Sequence, residues 1–378
     1  MAGIYIHIPF CKQACNYCNF YFSTSLQNKV QFIEALLAEI ELTKSYLEAE
    51  PVETIYFGGG TPTLLTIEDW RLIIDALGSV YALHHLLEFT IEANPDDLKD
   101  RKYLSGLADL GVNRFSIGIQ SFFEDDLRYM NRAHTATEAT EAVKRVQDAG
   151  FSNITIDLIY GTPTMNNEQW LQNLGTAFQL NVPHISAYAL TVEPKTVLEN
   201  KIRKKQLAPV DDVQSAKHFE ILLSEMKKHG FEQYEISNFA KPDAYAIHNS
   251  NYWLGKKYLG LGPSAHSYNG TIRSWNVSNN LTYINSLRKG QRAFEQETLT
   301  PAQAVNEKIM TGLRTKWGVN ISDFGFQISN LMRRNLKTVD EHCYTLENDL
   351  LRLTDAGKLY ADGIAAQLFI DDEHISLQ

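Results

Sequence analysis

The sequence predicts an α/β fold: a partial (β/α)6 barrel of parallel strands, followed by a small, mainly helical domain with a winged-helix-like ending. Three observations carry this. Short β-branched or aromatic runs recur through the first half of the chain. Amphipathic stretches of helical period separate them. From about residue 301 the pattern turns helical and stays so up to a terminal wing.

The expected strands are "GIYIHIP" (3–9), "TIYFGGG" (54–60), "FTIEANP" (89–95), "RFSIGIQS" (114–121), "ITIDLIYG" (154–161) and "HISAYALT" (184–191). Residues 29–47 place Val30, Ile33, Leu36, Leu37, Ile40 and Leu47 near a helical repeat, and 136–149 and 167–180 behave alike. Strand and helix alternating six times imply parallel strands joined by right-handed crossovers. Polar or glycine residues gather at the strand ends: Gly58 to Thr61, Glu92 and Asn94, Gln120 and Ser121, Gly161 and Thr162. In barrels that face holds the chemistry. "GTPTLL" (60–65) is echoed by "GTPTMN" (161–166), which suggests two similar strand-to-helix corners. The barrel is expected over 1–230. Residues 231–300 are expected as a linking strand, "FEQYEISNFA", and loops around "HNSNYW" (248–253). Residues 301–378 are expected as a helical domain, with "PAQAVNEKIMTGLRT" a helix and "GKLYADGIAAQLFI" a hairpin after a helix.

Composition narrows the function classes. A formal net charge of -10 gives no general attraction to nucleic acid, and residues 301–378 carry 8 Lys/Arg against 11 Asp/Glu, so the wing does not read as a DNA binder. "KIRKKQ" (201–206) reads as a solvated surface turn. No apolar run approaches the roughly 20 residues of a membrane span. "MAGIYIHIPF" is too short for a signal peptide, and a cytoplasmic protein is expected. "NVS" (276–278) and "NLT" (280–282) are then chance matches to the glycosylation pattern.

Three of the four cysteines, Cys11, Cys15 and Cys18, fall in "CKQACNYCNF" with spacing C-x3-C-x2-C. The segment would span about 25 Å if extended, so the loop must curl for the sulfurs to converge. Thiolates are soft ligands that select zinc, Cu(I) or iron–sulfur clusters. Zinc would need a fourth ligand, and His7 is the obvious candidate. Three thiolates on a cubane would leave one iron without a protein ligand. Cys343 stands apart, on an expected helix, as a small buried side chain.

"HIPFCKQACNYCNF" resembles the signature of the radical SAM superfamily, in which three cysteines hold a [4Fe–4S] cluster and S-adenosylmethionine chelates the open iron. "YIHIPFC", then "FGGGTPT", "IEANPD", "GIQSF" and "IDLIYGTP" in order, narrow the resemblance to the oxygen-independent coproporphyrinogen oxidase family. It implies that the barrel is a TIM-like radical SAM core. It also implies reductive cleavage of S-adenosylmethionine to a 5′-deoxyadenosyl radical that abstracts hydrogen from a substrate. On the residues themselves, "GGG" (58–60) lets backbone approach a ligand, and Glu92 can accept from a ribose or an ammonium. By the resemblance, Tyr5, Gly60, Glu92, Thr191 and His266 contact the S-adenosylmethionine. Gln120, Arg132 and Asp157 contact a second one or a substrate beside it, and Tyr17 and Thr61 complete the set.

Two outcomes compete within the family. The oxidase removes carboxyl groups from coproporphyrinogen and carries an additional N-terminal segment; here the first strand begins by about residue 3. A heme-chaperone branch resembles this chain in length and in "HNSNYW". There His248 is expected as an axial heme ligand, with Tyr252 and Trp253 packing on the macrocycle. A chaperone would hand heme to acceptors such as respiratory cytochromes, with peripheral or partner-mediated contact at the membrane. An exposed cluster loop would also be open to a homodimer interface. A cluster-bearing adaptor that performs no chemistry is the reading from a different class.

Overall fold

The structure, a computed structural model, describes residues 1–372. Strands β1 (Ala2–Ile8), β2 (Val52–Gly59), β3 (Glu88–Ala93), β4 (Arg114–Gln120), β5 (Asn153–Tyr160) and β6 (His184–Ala189) lie side by side in chain order, all parallel. Between and after them run α1 (Lys29–Leu42), α2 (Ile67–Val80), α3 (Arg101–Asp109), α4 (Glu124–Met130), α5 (Ala136–Asp148), α6 (Asn167–Gln179), α7 (Val197–Arg203) and α8 (Asp212–Lys228).

Strand alternation decides which way each side chain faces. One set buries apolar side chains under the helices: Ile4 and Ile6, Ile55 and Phe57, Phe89 and Ile91, Phe115 and Ile117, Ile154 and Ile156, Ile185. The other set, in register across the sheet, lines a lumen of about 250 Å³: Tyr5, Tyr56, Glu92, Arg114, Ser116, Thr155, Asp157, His184 and Ser186. The barrel is therefore apolar outside and polar within. Helix starts are set locally. Thr66–Asp69, Thr135–Glu138 and Asn166–Gln169 form reciprocal caps on α2, α5 and α6, satisfying backbone donors that a helix cannot.

Beyond the barrel the structure departs from expectation. Residues 231–300 extend the same sheet. β7 (Glu232–Glu235) and β8 (Asn238–Ala240) form a hairpin, not one strand, and pair antiparallel beside β6. After α9 (Ile247–Trp253), β9 (Tyr258–Leu261) joins β1 in parallel. β10 (His266–Tyr268) and β11 (Ile272–Asn276) continue antiparallel, and after α10 (Asn280–Leu287) β12 (Phe294–Thr298) closes the edge. Residues 248–270, expected as loops and short elements, hold most of a helix and two short strands. Runs of three or four residues interrupted by glycine show no periodicity. Gly260 is needed there because a Cβ would collide with the backbone of His266.

The C-terminal region has its own core, built on Ile309, Leu313, Met332, Leu351, Ile364 and Leu368. It comprises α11 (Pro301–Leu313), β13 (Val319–Asn320), α12 (Phe326–Leu336), β14 (Tyr344–Glu347), β15 (Leu350–Leu353), α13 (Asp355–Lys358) and α14 (Ala361–Leu368), with the strands ordered β13-β15-β14. The wing is the β14–β15 hairpin, whose turn residues Asn348 and Asp349 both have positive φ. The hairpin expected over "GKLYADGIAAQLFI" is corrected to α13 and α14: Ala361, Ile364, Ala365 and Leu368 are buried at helical spacing. Cys343 ends a short 3-10 turn, half-buried against this core, and is not on an α-helix.

Candidate functional site

A cavity of about 480 Å³ opens at the C-terminal ends of the parallel strands. The loop after β1 forms one wall and presents Cys11, Cys15 and Cys18, all half-buried with free thiols. Gly60, Thr61, Glu92, Gln120, Arg132, Asp157 and Thr191 line the remainder, with Tyr17 behind the cysteines.

Backbone and side-chain bonds hold the loop in place. Cys11 N–H donates to Ser23 O at 3.0 Å, and Ser23 N–H to Pro9 O at 2.8 Å. On the far side Asn16 N–H reaches Met130 O at 3.0 Å, and Asn16 Nδ2 donates to Tyr129 O at 2.6 Å. Asn131 Nδ2 donates to Ala14 O at 2.7 Å, and Lys12 pairs with Asp96 and Asp97. Asn16 and Lys12 gave no signal in the sequence beyond lying between cysteines.

The glycine corner, whose Gly59 and Gly60 line the cavity, also packs tightly against the chain itself. A Cβ on Gly60 would strike the carbonyls of Phe10 and Ile8, one on Gly59 (φ +101°) would enter the His7 ring, and one on Gly58 would meet Glu92 at 2.8 Å. The three glycines let β2 close against the cysteine loop and a carboxylate; this is chain-to-chain packing.

Glu92 accepts from Tyr56 Oη at 2.7 Å and from Gly59 N–H at 3.0 Å. Enclosure in the lumen pushes its carboxyl up to about 7, against the pull of the Tyr56 bond and with Asp157 adding to the rise. Enclosure likewise pushes Asp157 up to about 6, opposed by Ser186 and Arg114. Gln120 ends β4 in the left-handed region at φ +69°, an uncommon place for a non-glycine residue and one that often marks functional sites. Arg132 reaches Cys15 Sγ at 3.3 Å, Asn94 Oδ1 at 2.6 Å and Gly118 O at 2.7 Å. Asn94 also donates to Thr61 Oγ1 at 3.0 Å; it was visible in the sequence only as a polar strand end.

Two expected contacts lie elsewhere. Tyr5 sits one layer lower, in the lumen, stacked on Tyr56. His266 is exposed on β10 beside Trp275, two strands beyond β1, so it is removed from the cavity-lining set. His7 is also spoken for: Nδ1 lies 3.1 Å from Tyr5 Oη and Nε2 3.0 Å from Tyr21 O. In this conformation both of its ring nitrogens are engaged within the chain.

"HNSNYW" is the barrel's floor. Ile247 and His248 N–H donate to Glu88, the first residue of β3, at 2.7 and 3.0 Å. Asn251 Nδ2 donates to Glu53 Oε1 at 2.8 Å. His248 is buried, stacked on Tyr56, with Nδ1 2.8 Å from Thr54 Oγ1 and Nε2 3.0 Å from Tyr252 Oη. Burial pushes its imidazole down to about 3, so it stays neutral. Both nitrogens are engaged within the barrel, so an axial bond from His248 would have to displace the hydrogen bond to Thr54 or to Tyr252. Tyr252, one turn on, packs on Tyr258, whereas Trp253 turns toward Arg314 of the C-terminal region. The three side chains present no common surface, because residue 253 falls about 100° further round the helix.

A model of the radical SAM superfamily matches residues 5–176, and one of the HemN C-terminal domain matches residues 299–360. The heme chaperone HemW of Bacillus subtilis is 36 % identical over 373 residues, covering 96 % of this chain and 98 % of that protein. The chain belongs to the HemW family. HemW of Lactococcus lactis is 33 % identical, over 97 % of each chain. A mitochondrial radical S-adenosyl methionine domain-containing protein 1 of Dictyostelium discoideum is 31 % identical over 97 % of this chain and 94 % of its own. Among solved structures, the coproporphyrinogen III oxidase HemN of Escherichia coli superposes with a TM-score of 0.85 over 97 % of this chain and 90 % of its own, at 22 % identity. That likeness establishes the shared fold: a radical SAM barrel with a winged C-terminal domain.

Proposed function

We propose that the chain is a radical SAM heme chaperone, which holds a [4Fe–4S] cluster and S-adenosylmethionine, binds heme and passes it to acceptor proteins such as respiratory cytochromes. The observation that carries this is the 36 % identity with a heme chaperone over 98 % of that relative's length. Cys11, Cys15 and Cys18 would hold the cluster, and when bound it supplies a single electron at the sulfonium of S-adenosylmethionine. Glu92, Gln120 and Asp157 would take the polar groups of that ligand, with Tyr17, Gly60, Thr61 and Thr191 around it. Glu92 suits the role: a carboxyl half-protonated near neutrality ionises when a cation settles beside it. The heme does not depend on His248 in this reading, since that side chain builds the floor of the lumen. No helix among the described residues is long and apolar enough to cross a membrane. The chaperone would work in the cytoplasm, with any membrane contact peripheral.

Anaerobically purified protein, supplied with iron and sulfide, is expected to show cubane absorbance, to bind hemin with a Soret band, and to pass it to an apo-cytochrome. Loss of mass from coproporphyrinogen, alongside 5′-deoxyadenosine, would establish the oxidase in its place.

A further inference from the structure

We propose that Arg132 tunes the cluster site electronically by donating a charged hydrogen bond to Cys15; this rests on reading Cys11, Cys15 and Cys18 as cluster ligands. The observation is a clip of four consecutive residues around one cysteine. Tyr129 and Met130 hold Asn16 through their carbonyls, at 2.6 and 3.0 Å. Asn131, in the left-handed conformation that ends α4, holds the carbonyl of Ala14 at 2.7 Å. Arg132 then reaches the sulfur between them, Nη1 to Sγ at 3.3 Å. Both backbone neighbours of Cys15 and its side chain are gripped from one segment, 117 residues away in the chain.

The guanidinium is aimed at that sulfur by neutral partners. Its Nη2 donates to Asn94 Oδ1 and Gly118 O, and within the described residues no carboxylate is among its hydrogen-bond or ion-pair partners. Asp96 and Asp157 act on it only through space, so its direct hydrogen bonds are spent on neutral oxygens and on the Cys15 sulfur, which as a thiolate would make the last of these a charge-assisted bond. Hydrogen bonds to cluster sulfurs and nearby charge are among the levers that set reduction potential. Reduction adds one electron from an external low-potential donor, dithionite in the test below, and moves no proton. The added negative charge is spread over cluster and thiolates, so a fixed cation at Cys15 stabilises the reduced form more than the oxidised one. Arg132 therefore raises the potential.

The test uses full-length protein reconstituted anaerobically, as wild type, Arg132→Met and Arg132→Lys. Readouts are iron and sulfide per chain, and a potentiometric titration followed by the electron paramagnetic resonance of the reduced cluster. R132M is expected to load the cluster at wild-type stoichiometry with its midpoint displaced to more negative potential, and R132K to recover part of the displacement. Arg132→Gln carries the same expectation should R132M not fold. An R132M midpoint equal to wild type overturns the proposal. So does loss of the cluster from every variant with circular dichroism unchanged, which would make Arg132 an assembly residue. If wild type itself takes up no cluster, the cluster reading fails and this inference with it.

Discussion

Deleting the imidazole of His248 removes hydrogen bonds to Thr54 and Tyr252 and leaves a hole against Tyr56. Buried partners left unsatisfied cost about 1–3 kcal/mol each, so His248→Ala should lower unfolding stability by about that much or more. The hemin Soret position should stay at its wild-type value. A Soret shift on unaltered stability would restore the residue as a ligand. Glu92 makes a pH prediction. Its folded pKa, about 7, is raised above the unfolded value near 4.5, so its neutral form contributes stability that is fully present below pH 4.5 and lost as pH rises through 7. Urea unfolding of ligand-free protein should show wild type losing ground to Glu92→Gln between those values and keeping level above them. A constant gap would show that the carboxyl is ionised throughout. At this scale the three cysteines were legible because their spacing is local. The Arg132–Cys15 contact was not, since nothing in a one-dimensional string joins residues 117 apart. His248 shows the reverse: an imidazole, a phenol and an indole close in sequence suggest a cofactor seat, and that spacing says nothing of the bonds that tie the imidazole into the barrel.

The two corners with the same sequence are locked alike. Thr63 Oγ1 donates to Asp97 at 2.9 Å in the first, and its counterpart Thr164 Oγ1 to Asp126 at 2.5 Å in the second. In each, the turn is fastened to a carboxylate from another βα connection, which stiffens the rim around the cavity. Gly60→Ala tests that rim. The new methyl collides with the Phe10 carbonyl, so β2 and the cysteine loop must part. The expected result is a folded protein by circular dichroism with most of its iron-binding capacity gone. Iron content equal to wild type would mean that the loop seats its cysteines without the corner. The long elements, β1 to β6 with α1, α5 and α6, were readable because each runs long enough to display its period. β7 to β10 run to only three or four residues each, too short for alternation to show, and are strands because the neighbouring edge supplies their hydrogen bonds.

One large apolar core lies under the barrel helices and another within the C-terminal region, with a smaller cluster of Tyr129, Met130, Ile159, Leu190 and Leu198 between the barrel and α7. The two regions meet along a seam where Lys316 N–H donates to Tyr234 O at 3.0 Å, Glu235 bridges to Thr315, and Lys316 and Arg273 form ion pairs with Glu232 and Glu307. Ile309 is fully buried in the second core, and truncating such a side chain costs about 2–5 kcal/mol. Ile309→Ala should therefore bring down one calorimetric transition and leave the other near its wild-type temperature, with cluster content unaltered. A single transition moving as a whole would show the cores to be one cooperative unit. The floor made by α9 bears on how the molecule is loaded. From Gly3 across Thr54 and Glu88 to Tyr234, which touches both Asn249 and His184, the bottom of the barrel is spanned. With the base closed by α9, the three thiols stand at the opposite end of the barrel, so a ligand that comes in past them meets the cysteine loop before it meets the polar lumen.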